Sequence, residues 1–312
     1  MDVIRISAIA LAPLMVYMAL GFFLKKRNYL SADATKQLNI VCFRFFLSVM
    51  CGETIYKANL KEDVELLPVL VVAIGIVAVF GISWIIIPRF VKDKTQIPVM
   101  IQGIYKCNYA ILGIPIAQSI YGGNVGIASV IAVILVPLNN TLSALIFERY
   151  TGASSSPLKI CYKVLTNPLV VGSLAGLLLN ITGIVIPSWI MTGIVAKISG
   201  LATPLSMIAL GASFEFGFIR KYKVHLTWAV LGRLVFVPML VLPISIALGL
   251  RGMNLVSVMI FATSPNAVNS YSTAVAMGGD ADLANEIVVM SSIVSMLTMF
   301  LWFVGVGMLV GF

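Results

Sequence analysis

Apolar residues in this chain do not alternate with polar ones; they run on. Leu66 to Ile87, Val125 to Phe147 and Leu226 to Leu250 are almost free of charge. Each exceeds the roughly 20 residues that a helix needs to cross a hydrocarbon core of about 30 Å. Backbone left unpaired in lipid is too costly to tolerate, so a spanning segment is either a helix or a strand of a closed barrel. Barrel strands read as segments of about 10 residues with alternating polarity, unlike these runs. The pattern predicts an all-α integral membrane protein with spans at 3–24, 36–55, 66–87, 97–120, 125–147, 166–185, 189–213, 225–250, 254–277 and 284–310. Turn signals separate them: Pro88 with Arg89, Gly122-Gly123-Asn124, Asn167-Pro168, Pro187 and Gly278-Gly279-Asp280.

Composition points the same way. Of 312 residues, 60% are hydrophobic and 11% charged, against about 25% charged in soluble domains. The net charge of +9 sits in short clusters between spans rather than in a patch for nucleic acid. Lys25, Lys26 and Arg27 occupy the first loop, and Arg89, Lys92 and Lys94 the third. Arg149, Lys159 and Lys163 occupy the fifth, and Arg220, Lys221 and Lys223 the seventh. The alternate loops hold little beyond Lys57, Lys61 and Arg251. Because basic loops stay inside, the chain is expected in the cytoplasmic (inner) membrane with both termini extracytoplasmic. The first apolar run ends, rather than begins, in basic residues, the reverse of a cleavable signal. Cys42, Cys51, Cys107 and Cys161 lack metal-like spacing and read as packed thiols. No metal or cofactor is expected.

The two halves match when slid against each other. At an offset of 155, Pro13-Leu14 meets Pro168-Leu169, Val16 meets Val171 and Gly21 meets Gly176; at 156, Gly122-Gly123-Asn124 meets Gly278-Gly279-Asp280. Residues 1–150 and 151–312 then form two repeats of five spans. An odd number makes the second copy inverted, an arrangement found in carriers that alternate access. Spans four and nine carry the oddest chemistry, Tyr105-Lys106-Cys107-Asn108-Tyr109 ahead of Pro115, and Thr263-Ser264-Pro265-Asn266 ahead of Asn269-Ser270-Tyr271-Ser272-Thr273. A mid-span proline removes a donor and strands backbone groups that then need polar partners. Both stretches are read as broken helices crossing at the midplane around a substrate site.

Arg44, Lys106, Lys197 and Arg233 fall within spans, with Glu53 and Glu215 nearer the ends. A central Lys or Arg costs about 2.5–3.5 kcal/mol on insertion scales. Such residues either snorkel to the headgroups or serve the transport path. The excess of embedded cations favours an anionic substrate, which helix N-termini at the breaks would also attract. Lone His225 lies by a basic loop, so proton coupling would lean on Glu53, Glu215 or the substrate. Sodium could use carbonyls and hydroxyls at Ser264, Ser270 and Thr273. No phosphate loop, nucleophile elbow or paired histidines point to an enzyme.

The stretch Asn108 to Pro115 with Tyr121-Gly122, and Ser264 to Tyr271 with Gly278-Gly279-Asp280, resembles the auxin efflux carrier family; Asn167-Pro168-Leu169, and Pro204-Leu205 before Gly211-Ala212, are also similar. The resemblance covers essentially the whole chain. It implies ten helices as two inverted repeats, with a scaffold of helices 1, 2, 6 and 7 and a transport domain of helices 3–5 and 8–10. It also implies secondary transport of an organic anion such as malate, malonate or an auxin-like carboxylate. Carried over, Asn108 and Asn266 flank the crossing, with Pro115 and Pro265 at the breaks. Lys106, Tyr109, Asn269 and Tyr271 complete the expected substrate contacts. Only residues 148–165 separate spans five and six, as in short microbial members rather than the long plant carriers. A second copy of the chain is among the expected partners, besides lipid and a coupling proton or sodium ion. The alternatives are a sodium-coupled symporter of bile-acid type and an anion channel.

Overall fold

The computed structural model describes residues 2–57, 65–121, 126–152, 162, 166, 168–214 and 221–311. Gly122-Gly123-Asn124, Cys161, Asn167 and Glu215 lie outside the described residues. The described chain is helical: α1 Asp2–Lys26, α2 Ala32–Lys57, α3 Leu66–Phe90, α4 Gln96–Tyr105, α5 Tyr109–Tyr121, α6 Gly126–Thr151, α7 Pro168–Thr182, α8 Ser188–Ala212, α9 Lys223–Ala247, α10 Gly252–Thr263, α11 Asn269–Ala276 and α12 Ala281–Val310. Six of them (α2, α3, α6, α8, α9 and α12) are long and apolar enough to cross a membrane. The stretches expected as spans four and nine are each divided, at 106–108 and 264–268, so neither half reaches that length alone. Helices α2, α8 and α9 each contain a single π turn, at Cys42–Phe46, Met191–Val195 and Gly232–Phe236.

The chain divides into two compact units. Unit 1 takes residues 1–65, 110–133 and 162–214, and unit 2 takes residues 66–109, 134–161 and 215–312. In unit 1, α1 packs along α8 and α2 along α7, each pair pressed together on glycines. A Cβ on Gly21 would strike the Ile208 carbonyl, and one on Gly211 the Met18 carbonyl. A Cβ on Gly176 would strike the Gly52 carbonyl, and one on Gly172 the Ser48 carbonyl. Without a hydrophobic drive between helices in lipid, such close backbone approach is what van der Waals packing requires. Gly21 and Gly176, paired by the offset of 155, therefore occupy the same kind of crossing in the two helix pairs.

Side chains tie the helix ends of unit 1. Asn39 Nδ2 donates to Ser213 Oγ (2.9 Å), joining the start of α2 to the end of α8. Asn180 Nδ2 donates to the Tyr56 carbonyl (2.8 Å), and the Tyr56 hydroxyl accepts from the Ile186 N–H (3.0 Å). Asn180, which also donates to the Ile55 carbonyl (3.2 Å), thereby satisfies carbonyls that the end of α2 leaves open. Glu53 pairs with Lys57 one turn on (2.6 Å).

Unit 2 is built around α10, whose residues 255–263 are all buried. One end of it is knitted by Asp280, the N-cap of α12, which accepts from the Leu283 N–H (3.0 Å). The same carboxylate accepts from the Tyr222 hydroxyl (2.9 and 3.0 Å) and from Gln96 Nε2 (3.0 Å). Its own N–H donates to the Thr95 carbonyl (3.0 Å), and Thr151 Oγ1 donates to the Met277 carbonyl (2.7 Å). Burial and the adjacent carboxylate push the Tyr222 hydroxyl above the usual phenol range, although Lys221 beside it acts the other way. Gly278 turns the chain into this cluster with φ +71°, a conformation that costs glycine nothing.

Candidate functional site

Within unit 2, the unwound stretch that follows α4 meets the unwound stretch that follows α10. Helix α4 stops at Tyr105, and Lys106 turns to extended backbone (φ −78°, ψ 119°) before α5 starts at Tyr109. Helix α10 stops at Thr263, and Ser264 is likewise extended (φ −59°, ψ 146°) before α11 starts at Asn269. The two stretches run antiparallel and bridge at Cys107 and Asn266, with the Asn108 N–H donating to the Pro265 carbonyl (2.9 Å). Pro265 has no N–H to lose there, and the Asn266 N–H goes instead to Ser291 Oγ on α12 (3.1 Å).

The carbonyls freed at the ends of α4 and α10 are closed by two long-range side chains. Asn266 Nδ2 donates to the carbonyls of Gln102 (2.8 Å) and Lys106 (3.0 Å), capping α4. Arg233, on the π turn of α9 and fully buried, closes both helices. Its Nε donates to the Ser264 carbonyl (2.8 Å), and Nη1 to those of Ile104 and Tyr105 (3.2 Å each). Its Nη2 donates to Ala262 (2.9 Å) and to Phe261. A guanidinium has five N–H donors, and all are used. Gly232 permits the approach, since a Cβ there would lie 2.9 Å from Ile104 Cγ1. Arg233 therefore does not snorkel. A helix C-terminus carries about half a negative charge, so two of them together offset one guanidinium without a carboxylate.

Lys106 stands in the opposite situation. It is 1% exposed, and its Nζ lies 3.4 Å from Thr273 Oγ1 on α11. With its oxygen turned inward, the Gln102 amide accepts from Lys106 Nζ (3.2 Å) and Ser143 Oγ (3.0 Å), while its nitrogen donates to the Ser270 carbonyl (3.3 Å). The Tyr105 hydroxyl shares a hydrogen bond with the same Ser143 (2.7 Å), and it donates to the Asn139 carbonyl (3.1 Å). Only neutral oxygens hold the ammonium among the described residues, and no described carboxylate pairs with it. The Ser270 carbonyl that Gln102 reaches lies in the first turn of α11, and a helix N-terminus carries partial positive charge. Asn108 Nδ2, two residues on in the unwound stretch, and Ser270 Oγ, in the first turn of α11, are buried without a hydrogen-bond partner among the described residues.

The other expected site residues are scattered by comparison. Tyr109 is fully buried at the start of α5, whereas Asn269 and Tyr271 are exposed on α11. Ser264 has its carbonyl taken by Arg233 and donates its hydroxyl to the Ile260 carbonyl; Thr273 Oγ1 donates to the Asn269 carbonyl (2.8 Å). Pro265 is in the unwound stretch, but the chain at position 115 is helical within α5, and the Pro115 side chain lies outside the described residues. Glu53 belongs to unit 1, where Arg44 and Lys197 are exposed. Gln102, Ser143 and Asn139 are missed by attention to the breaks alone, although polar residues inside apolar runs were the available signal. Glu286, fully buried in the second turn of α12, is missed for the same reason.

A family model described as membrane transport protein matches the chain as two repeats, over residues 6–155 and 154–303. The chain belongs to this family, that of the auxin efflux carriers. An uncharacterized transporter of Methanothermobacter thermautotrophicus is 26% identical over 290 residues, covering 92% of this chain and 94% of that protein. The uncharacterized transporter YfdV of Escherichia coli K12 is 26% identical over 273 residues, covering 82% and 84%. With its apolar helices, membership of this carrier family makes the chain a multi-pass membrane protein. Its family and these relatives are transporters, not enzymes.

Proposed function

We propose that this auxin efflux carrier family member is a secondary transporter of a small organic anion, which it binds at the crossing of its two broken spans. The observation that carries the reading is Lys106. A buried ammonium held only by neutral oxygens is costly until an anion joins it. The partial positive charge of the α11 N-terminus, and Asn108 Nδ2, which makes no hydrogen bond among the described residues, further favour a carboxylate. Arg233 lends no such support, because helix ends already balance its charge.

The reading places ten spans in two inverted repeats. Support comes from the two family-model matches, from the equivalent Gly21 and Gly176 crossings, and from two breaks that pair with each other. Orientation follows the loops. The bonds at Asn39, Asp280 and Thr151 join ends next to the basic loops, while those at Tyr56 and Asn180 join ends next to poorly charged ones. Both termini are then extracytoplasmic in the cytoplasmic membrane. A reporter active only in the cytoplasm and fused after Phe312 should stay silent; strong signal there would reverse the orientation.

The substrate class is tested by a thermal-shift screen of the purified protein against short dicarboxylates, malate and malonate among them, and indole carboxylates, in sodium and in choline. At least one carboxylate should raise the melting temperature saturably, while its uncharged amide does not. A screen in which amides shift the protein as much as acids would refute an anion site.

A further inference from the structure

The end of α4 and the end of α10 together present a cage of five carbonyl oxygens, from Ile104, Tyr105, Phe261, Ala262 and Ser264. Converging carbonyls at unwound, C-terminal helix ends are the chemistry by which transporters and channels hold a monovalent metal ion. Here the cage is full. Every oxygen in it accepts from one side chain, Arg233, which is wholly buried and reaches the cage over the close approach of Gly232 to Ile104. The Phe261 ring lies beside the guanidinium, 5.8 Å from its carbon to the ring centre, and contributes a cation–π contact.

We propose that Arg233 is a tethered cation occupying what would otherwise be a monovalent metal-ion site, so that the crossing is assembled without sodium. This deepens the carrier reading and rests on it for its meaning in transport. A symporter that binds sodium at such ends gains its crossing only when the ion arrives, and ion and substrate are thereby coupled. A covalently attached cation keeps the crossing assembled throughout the cycle. Substrate affinity then has no reason to depend on sodium at this position. Arg233 is thus a positioning residue: it holds the Ile104–Tyr105 and Phe261–Ser264 backbone in place, and through them Lys106.

The test empties the cage and offers it ions. In detergent-purified protein, the melting temperature of Arg233→Ala should fall on the order of 10 °C, the consequence of stripping a buried, multiply bonded charge. Millimolar guanidinium, and sodium or potassium at higher concentration, should restore much of that loss saturably, whereas choline, too large for the cage, should not. Wild type should melt identically in sodium, potassium and choline. If Arg233→Ala does not yield folded protein, Arg233→Lys serves. An ammonium has three donors for five carbonyls, so a smaller loss and a partial guanidinium rescue are expected. Absence of rescue by any small cation in the variant that folds would overturn the proposal. So would a saturable sodium-dependent rise in the wild type. None of these measurements uses a substrate, so they stand apart from the carboxylate screen: a wild type that binds no anion defeats the carrier reading and leaves the cage result legible.

Discussion

Lys106→Met should lose anion binding almost entirely while remaining at least as stable as the wild type. The two effects have one cause. The ammonium is buried against the Gln102 and Thr273 oxygens at 3.2 and 3.4 Å, contacts that replace its hydration poorly. Methionine keeps most of the volume and removes the buried charge, a change that is often neutral or stabilising. In the complex the same ammonium is half of a buried ion pair, and deleting one partner of such a pair costs about 3–5 kcal/mol. That corresponds to an affinity lower by roughly a hundred- to several thousandfold. Binding by titration calorimetry and melting temperature, measured on one preparation, separate the outcomes. A stable Lys106→Met with unchanged affinity would remove the anion site. An unstable one would make Lys106 a structural residue.

The asparagines at the crossing should behave unequally. Asn266→Ala is expected to destabilise the protein by roughly 2–4 kcal/mol, because the Lys106 carbonyl loses its Asn266 bond and that of Gln102 keeps only the Lys106 N–H. A melting temperature lower by about 5–10 °C follows for a chain of this size. Asn108→Ala should cost less than about 1 kcal/mol of stability, since its amide nitrogen makes no bond among the described residues. Its expected loss is in affinity, ten- to a hundredfold, the worth of about 1.5–3 kcal/mol for one hydrogen bond to a charged group. Equal melting temperatures for the two variants, or a larger affinity loss in a stable Asn266→Ala, would contradict this division.

Sequence alone treats Asn108 and Asn266 as equivalents, and the reason it does so is instructive. Local pattern records that each lies beside a break, but not which carbonyl each amide reaches. Asn266 bridges to Cys107, not to Asn108, and its amide turns to carbonyls more than 150 positions away in the chain. Arg233 shows the same limit. A mid-span arginine is visible at once, but counting it toward an anion site ignores the two helix ends that neutralise it. The break in span four is likewise set at Lys106 to Asn108 by these remote partners, rather than at Pro115, where the chain is helical. What depends on hydrophobic runs was legible. The run at 66–87 becomes Leu66–Phe90, and the run at 284–310 becomes Ala281–Val310. The offset of 155 paired Gly21 with Gly176, but not the carbonyls of Ile208 and Gly52 that press against them, because those lie on other helices. Lys106 was picked out by adjacency to Asn108; its burial among neutral oxygens depends on Gln102 and Thr273, which adjacency does not reveal.

Counterflow in proteoliposomes tests the central claim most directly. Vesicles of purified protein are loaded with the tightest-binding dicarboxylate of the screen and given a trace of the same compound, labelled, outside. A carrier that uses Lys106 should take up label transiently above equilibrium and saturate with external anion. It should do so equally in sodium and choline, and the Lys106→Met protein should show none of it. Uptake that rises linearly without trans-stimulation, or that survives Lys106→Met unchanged, would contradict the account.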